Sequence, residues 1–298
     1  MDIFVTGGTG FVGVPVVRRL ITDGHHVRVL TRRPDVGHLF PSNVQLVEGN
    51  LFDLPSLRLG LHGADAVVHL VGIIREQPRR MITMQRIHVE GTSVLLEAAA
   101  KANVKRFIHM SALGARPDAV SAYHRSKWDA EKRVRQSGLE FTIFRPSVVF
   151  GKGGPKPSFL SELAQTIQRM PVVPVVGDGE FPLQPVHTTV VADVFAKSLT
   201  FVEVVGETFD VCGPNVVTYK QIVEQLMSAL EVRKRMVHVP MFVLENALRL
   251  LDWTGLLPLT MDQLIMLREG NVSANAARAY ERFAPPSIPF SIQPSDLE

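Results

Sequence analysis

Tyr123 and Lys127 stand four residues apart in SAYHRSKWDAEK (121–132), a spacing that puts both side chains on one face of a helix. An unperturbed phenol titrates at about 10, which makes it a poor acid or base at neutral pH. An ammonium beside it stabilises the phenolate and draws that value down. Such a pair can hand a proton to an oxygen or take one from it. Two ordinary residues on the outer side of a helix would show the same spacing, so the surroundings must decide.

A second constellation lies at the start of the chain. VTGGTGFVG (5–13) follows the first β-rich run directly and opens a helical stretch. Gly7, Gly10 and Gly13 allow a tight turn and a close approach of backbone N–H groups to a pyrophosphate, with Thr9, Phe11 and Val12 in the same cradle. The helix N-terminus adds positive potential without a cationic side chain. The next β-rich run ends VLTRRPD, with Arg32 and Arg33 where an acid would hold a ribose 2′-hydroxyl. Two guanidinium forks there favour a 2′-phosphate and hence NADP(H). NAD(H) is the alternative if the arginines are only a solvated basic turn. Lys127 would then hold the nicotinamide ribose while it poises Tyr123.

These residues need a scaffold, and the first 150 positions supply its pattern. Short apolar runs at 2–6, 26–31, 44–49, 65–71, 106–111 and 140–145 read as strands covered on both faces. Helical stretches lie between them, clearest at 81–102 and 121–137, the latter with Ser121 as N-cap and Gly138 as its stop. Such alternation predicts an α/β fold, a Rossmann-type doubly wound parallel sheet. Residues 1–150 form the dinucleotide-binding core, and 151–298 mostly a smaller C-terminal substrate or lid lobe with segments returning to the core. GKGGPKP (151–157) reads as a turn-rich loop, and the proline-rich tail from Pro285 as a surface wrap.

VTGGTGFVG, VVHLVG (67–72), HVEGTSVLLEAA (88–99), YHRSK (123–127), FRPSVVFGKGG (144–154) and PVHTTVVADVFAKSL (185–199) together resemble the extended or atypical short-chain dehydrogenase/reductases, the NAD-dependent epimerase/dehydratase family. SALGARP (111–117) and LTMDQLIMLREGNVS (259–273) are most similar to the group related to the NAD(P)H-binding accessory subunit of respiratory complex I. The resemblance implies Tyr123 as general acid/base with Lys127 as its partner. It also implies that Asn50 and Leu51 border the adenine, and that Val71, Gly72 and Pro146 line the dinucleotide. A homodimer built on 81–102 and 121–137, as in many relatives, is a further implication. Two departures accompany it. Where a Ser or Thr usually binds the substrate oxygen, HMSALG puts Ser111 in the preceding place and Ala112 in the working one, so Ser111 is the candidate hydroxyl. Where an asparagine is usual, His88 stands.

Composition narrows the field. A net charge of +3 over 298 residues is too weak to imply nucleic acid. Cys212 is the one cysteine, which suits a reducing compartment and leaves no thiolate cluster. The ten histidines show no metal-ligand spacing, so no metal site is expected. His69 and His109 fall inside buried strands, His124 reads as a neighbour of Tyr123, and His187 as a strand-to-helix corner with Asp193 steadying a helix start. Arg75, Arg79, Arg80 and Arg86 could grip an acidic substrate or a lipid headgroup, or be a solvated loop. The apolar stretch 239–267 reads as a lid on the second lobe, or as a peripheral membrane or protein-complex contact. MDIFVTGG is neither signal nor transit peptide, which gives a cytoplasmic expectation, with membrane association if that stretch docks.

The expected function is NADP(H)-dependent hydride transfer to or from a carbonyl or alcohol of a small-molecule substrate. The alternative is a non-catalytic NADP(H)-binding structural or assembly protein for a respiratory or quinone-related membrane complex.

Overall fold

A strand buried on both faces can be apolar throughout, and the short apolar runs of the first half form such strands. A computed structural model describes residues 1–155, 157–251 and 259–297. Its first elements are β1 (Asp2–Thr6), α1 (Gly13–Thr22), β2 (His26–Thr31), β3 (Gln45–Glu48), α2 (Leu54–Leu61), β4 (Ala66–His69), α3 (Gly91–Lys101), β5 (Arg106–Met110), α4 (Ala122–Arg135) and β6 (Glu140–Pro146). Then come β7 (Val149–Phe150), α5 (Phe159–Arg169), β8 (Val173–Val176), β9 (Pro182–Leu183), β10 (Val186–His187) and α6 (Thr188–Ser198). The chain continues through β11 (Thr208–Val211), β12 (Val217–Thr218), α7 (Tyr219–Ala229), β13 (Met236–Val239), α8 (Met241–Leu251), α9 (Met261–Glu269) and α10 (Ala276–Phe283).

The main sheet has the order β3-β2-β1-β4-β5-β6-β11, and every neighbouring pair is parallel. Strand order reverses between β1 and β4, which opens a crevice at the carboxyl ends of those strands. Register sets Thr6 of β1 beside His69 of β4, and His69 beside His109 of β5. Three polar side chains are thereby set side by side and buried.

Helices cover both faces of the sheet. On one face Val16, Val17 and Leu20 of α1 pack with α6 and α10, and Phe144, Phe195, Phe209 and Phe283 form a ring cluster with centroids 4.8–6.0 Å apart. On the other, Leu57, Leu61, Leu95 and Phe107 join Phe4. A Cβ on Gly60 would fall 2.1 Å from the Phe4 ring, so α2 rides close on the sheet. Asp193 does not steady a helix start: it sits mid-helix in α6, where it bonds Arg19 of α1 and Lys197. That ion pair ties two helices on the same face.

A second apolar cluster joins α5, α7 and β8 to Leu248, Leu264 and Leu267 of α8 and α9. The tail departs from a simple surface wrap, because Phe290 and Ile292 are buried in this cluster. The stretch 81–102 also differs from a plain helix. Met81 takes a left-handed conformation (φ 56°), Gln77 and Ile82 exchange hydrogen bonds, and a π-helical turn at Gln85–Glu90 leads into α3. Such π turns are frequent at functional sites, and this one carries His88. Of the apolar stretch 239–267, residues 252–258 lie outside the described residues. Among the described residues no helix is long and apolar enough to cross a membrane.

Candidate dinucleotide and substrate site

One cavity of about 990 Å³ opens over the crevice and collects almost all of the residues singled out above. Gly7, Thr9, Gly10, Phe11, Val12 and Gly13 line one end. The loop has no spare room: a Cβ on Gly7 would meet the Leu70 carbonyl carbon at 2.8 Å, and one on Gly13 the Gly7 carbonyl oxygen at 2.2 Å. Helix α1 begins at Gly13 with no side-chain cap and no acid in its first turn. Its N-terminal dipole therefore faces the loop unneutralised, which fits an anionic diphosphate.

The loop 151–154 lies against this cradle, a role its turn-rich composition does not reveal. Gly154 N–H donates to Phe11 O at 2.9 Å, and a Cβ on Gly153 would fall 2.3 Å from the Phe11 ring. Glycine is required at both places for close approach.

Arg32 lines the cavity, but Arg33 does not. Thr31 Oγ1 receives Arg33 N–H and donates to Arg33 O, a tight turn that ends β2, and the Arg33 side chain is exposed. Asn50 and Leu51 line the same end with Phe52, whose ring carries the Arg86 guanidinium 4.5 Å above it. Val71, Gly72 and Pro146 line the cavity as well.

Tyr123 and Lys127 enter from α4. Ser121 caps that helix by accepting His124 N–H at 3.2 Å, and Gly138 follows its end at φ 75°. Lys127 is buried, and its Nζ donates to Met110 O at 3.0 Å and to Val71 O at 3.4 Å. Burial lowers its pKa to about 8, opposed by the carboxylate of Glu131. Tyr123 departs from the expected direction. Burial and the nearby Asp262 carboxylate raise its phenol to about 12, so these outweigh any downward pull from Lys127. Ser111 and Ala112 both line the cavity, and the buried Ser111 Oγ makes no hydrogen bond among the described residues.

Beneath the pair runs a buried polar chain. Thr92 Oγ1 donates to His88 O and so accepts from His69 Nε2 at 3.0 Å, which leaves His69 Nδ1 to accept from Thr6 Oγ1 at 2.6 Å. His88 Nε2 accepts Ile73 N–H at 2.9 Å, so its proton sits on Nδ1 and is donated to Ser126 Oγ at 2.8 Å. Ser126 in turn donates to Tyr123 O at 2.7 Å. Burial, seconded by Lys127, drives the pKa of His69 to about 3 and of His88 to about 2, so both are neutral. His109, stacked on His69 at 5.4 Å, is held well below its ordinary value for the same first reason. The chain links β1, β4, α3 and α4 and fixes where Tyr123 stands.

Two acids on α9 complete the site; both lie in the stretch 259–273, whose resemblance gives neither of them a role. Asp262 accepts from Ala122 N at 2.7 Å, Ser121 Oγ at 3.0 Å and Tyr123 N at 3.1 Å, across the N-terminus of α4. Glu269 binds Arg116 and accepts from His124 Nδ1 at 3.1 Å. Burial pushes its carboxyl up, but those partners and Val120 N–H hold it below the usual range. His124 is thus a neighbour that anchors α9.

The profile of the NAD dependent epimerase/dehydratase family matches residues 3–212. The chain belongs to that family. The NADH-ubiquinone oxidoreductase 40 kDa mitochondrial subunit of Neurospora crassa is 28% identical over 251 residues, 81% of this chain and 63% of that protein. A ceramide reductase of Caulobacter vibrioides is 34% identical over 200 residues, 67% of this chain and 60% of that protein. The chain thus spans about three-fifths of the length of these two relatives. A dTDP-glucose 4,6-dehydratase of Streptomyces venezuelae, solved with NAD bound, shares the fold with a TM-score of 0.73 and 20% identity, covering 100% of this chain and 96% of that one. Family members of both kinds, complex I subunits and reductases, are therefore similar to this chain.

Proposed function

We propose that the protein is an NADP(H)-dependent oxidoreductase of the short-chain type, acting on a carbonyl or alcohol. What carries the proposal is the meeting, in one cavity, of the glycine cradle with Tyr123 and Lys127. A bound reduced nicotinamide would supply a hydride to a carbonyl carbon. As that C=O bond gives up its π pair to oxygen, Tyr123 donates its phenolic proton there, and water later restores it. Ser111 Oγ, buried without a hydrogen-bond partner among the described residues, supplies a donor for the same oxygen. Lys127, held by Val71 O and Met110 O, stabilises the phenolate left behind. A phenol raised to about 12 stays protonated at neutral pH. An alkoxide is a stronger base still, so the arrangement favours reduction over oxidation. Arg32 in the cavity supports a preference for NADP(H).

A second reading is dinucleotide binding without turnover, in a protein-complex or membrane-peripheral setting. It is supported by Ala112 at the usual hydroxyl place, by the similarity to a complex I subunit, and by Phe242, Val243 and Leu250 exposed on α8. The test is a titration of NADPH and NADH by fluorescence, with wild type, Arg32→Glu and Tyr123→Phe, together with NADPH oxidation by a ketone panel. Tighter NADPH than NADH binding, lost in Arg32→Glu, supports the cofactor assignment. Ketone reduction abolished in Tyr123→Phe with NADPH binding intact supports the enzyme; no reduction by wild type favours the second reading.

A further inference from the structure

Beyond Tyr123 and Pro146 the cavity runs on into the second apolar cluster. Leu163 and Ile167 of α5, Val173 and Val175 of β8, Leu244 of α8 and Leu267 of α9 line this inner chamber. From residue 163 onward no described lining residue carries a charge. Beside the phenol of Tyr219, three polar neighbours each have the side-chain oxygen engaged. Thr166 Oγ1 donates to Glu162 O at 3.0 Å, Gln263 Oε1 accepts Thr260 N–H at 2.9 Å, and Asn271 Oδ1 accepts Val148 N–H at 2.8 Å. The charged lining side chains are Arg32, Arg75, Arg80, Arg86, Lys127 and Glu162, and of these Glu162 alone belongs to an element that walls the chamber, α5. Among them Arg86 stacks on Phe52 at the adenine end, Arg75 faces Glu162 at 3.9 Å, and Lys127 sits at the reacting centre.

A nucleotide sugar requires donors and cations for its diphosphate and hydroxyls, and burying those groups unpaired is strongly unfavourable. A hydrocarbon gains on entering such a chamber, methylene by methylene. Resting on the oxidoreductase assignment above, we infer that the substrate is a lipid: a carbonyl or alcohol whose reacting carbon sits at Tyr123 and whose long apolar chain fills the chamber between α5, β8, α8 and α9. The fold shared with a nucleotide-sugar dehydratase therefore carries a different substrate class here. Hydride addition at the carbonyl carbon needs no group from the tail, which serves only to bind and orient.

The test uses the full chain, NADPH, and a series of methyl ketones from 2-octanone to 2-hexadecanone in dilute detergent. The expected result is a KM falling two- to fourfold per added methylene, the ratio implied by apolar transfer, until the chamber is full. cis-Parinaric acid fluorescence reads the chamber without turnover. Leu163→Trp is expected to abolish parinarate binding and flatten the chain-length dependence, while an unchanged NADPH affinity shows that the variant folds. A KM indifferent to chain length, or displacement of parinarate by dTDP-glucose, overturns the lipid inference and leaves the hydride assignment standing. Parinarate bound by wild type and lost in Leu163→Trp, with no ketone reduced, supports the lipid chamber and overturns the hydride assignment instead.

Discussion

Lys127→Met offers a test of the site that needs no substrate. The wild-type ammonium is buried, and its pKa falls to about 8, burial being the main cause. In the unfolded chain a lysine titrates at about 10.4. Between those values the unfolded state binds the extra proton, so the stability of the wild type rises with pH there, by at most about 1.4 kcal/mol per pH unit. Below about 8 both states are protonated, and the cost of burying the charge is fully present. Integrated from pH 7 to pH 10, the gain is roughly 2 to 3 kcal/mol. Methionine has a similar length and no titration, so the variant lacks this gain. Its other costs, the loss of the bonds to Met110 O and Val71 O, are the same at every pH. The quantity to measure is therefore a difference of differences: urea unfolding of both proteins, followed by far-UV circular dichroism, at half-unit steps from pH 7 to pH 10. Wild type is expected to gain on Lys127→Met by roughly 2 to 3 kcal/mol over that range. Parallel stability curves would falsify the claim that the ammonium is held in a desolvated place.

Acid should act through the buried imidazoles. With His69 and His88 neutral when folded, an unfolded state that binds their protons costs about 2 kcal/mol per histidine at pH 5 relative to pH 7; His69→Asn is expected to shift the acid unfolding midpoint downward, read by circular dichroism. Glu131, fully buried between Arg135 at 2.8 Å and Arg145 at 2.7 Å, anchors α4 to β6. Glu131→Gln is expected to cost roughly 3 kcal/mol in urea, the low end for a broken buried pair because both guanidiniums are partly exposed. Since Glu131 also supports the charge on Lys127, the same variant should move the alkaline inflection described above to lower pH. Asp262→Asn, which removes the carboxylate from the N-terminus of α4, is expected to cost about 1 kcal/mol. It should also lower the alkaline limb of any ketone-reduction pH profile, because Asp262 raises the phenol of Tyr123; an unmoved limb would mean that Tyr123 is not the proton donor.

Much of this molecule can be read along the chain. Apolar runs of strand length, glycines spaced through 7–13 and the 123/127 spacing are local patterns, and they report backbone geometry because φ, ψ and helical periodicity are set by near neighbours. The strands at 2–6 and 26–31 agree to the residue with β1 and β2, and the helix cap at Ser121 was equally legible. Failures came where a side chain's direction or its field mattered. Arg33 is next to Arg32, yet of the two only Arg32 lines the cavity. Hydrophobic spacing starts a helix at 81, but a left-handed Met81 and a π turn, which leave no mark in that spacing, delay it.

The rest belongs to folding in three dimensions. Thr6, His69 and His109 become neighbours only through strand register, and Asp262 reaches Tyr123 from 139 residues away. A pKa is a sum over everything within a few ångströms, whatever its place in the sequence. The sequence placed an ammonium one turn from a phenol and so suggested a lowered phenol; burial and a carboxylate from α9 reversed that direction. The apolar chamber is likewise invisible in any one segment, since α5, β8, α8 and α9 each show an ordinary apolar face and only their meeting leaves a space between them.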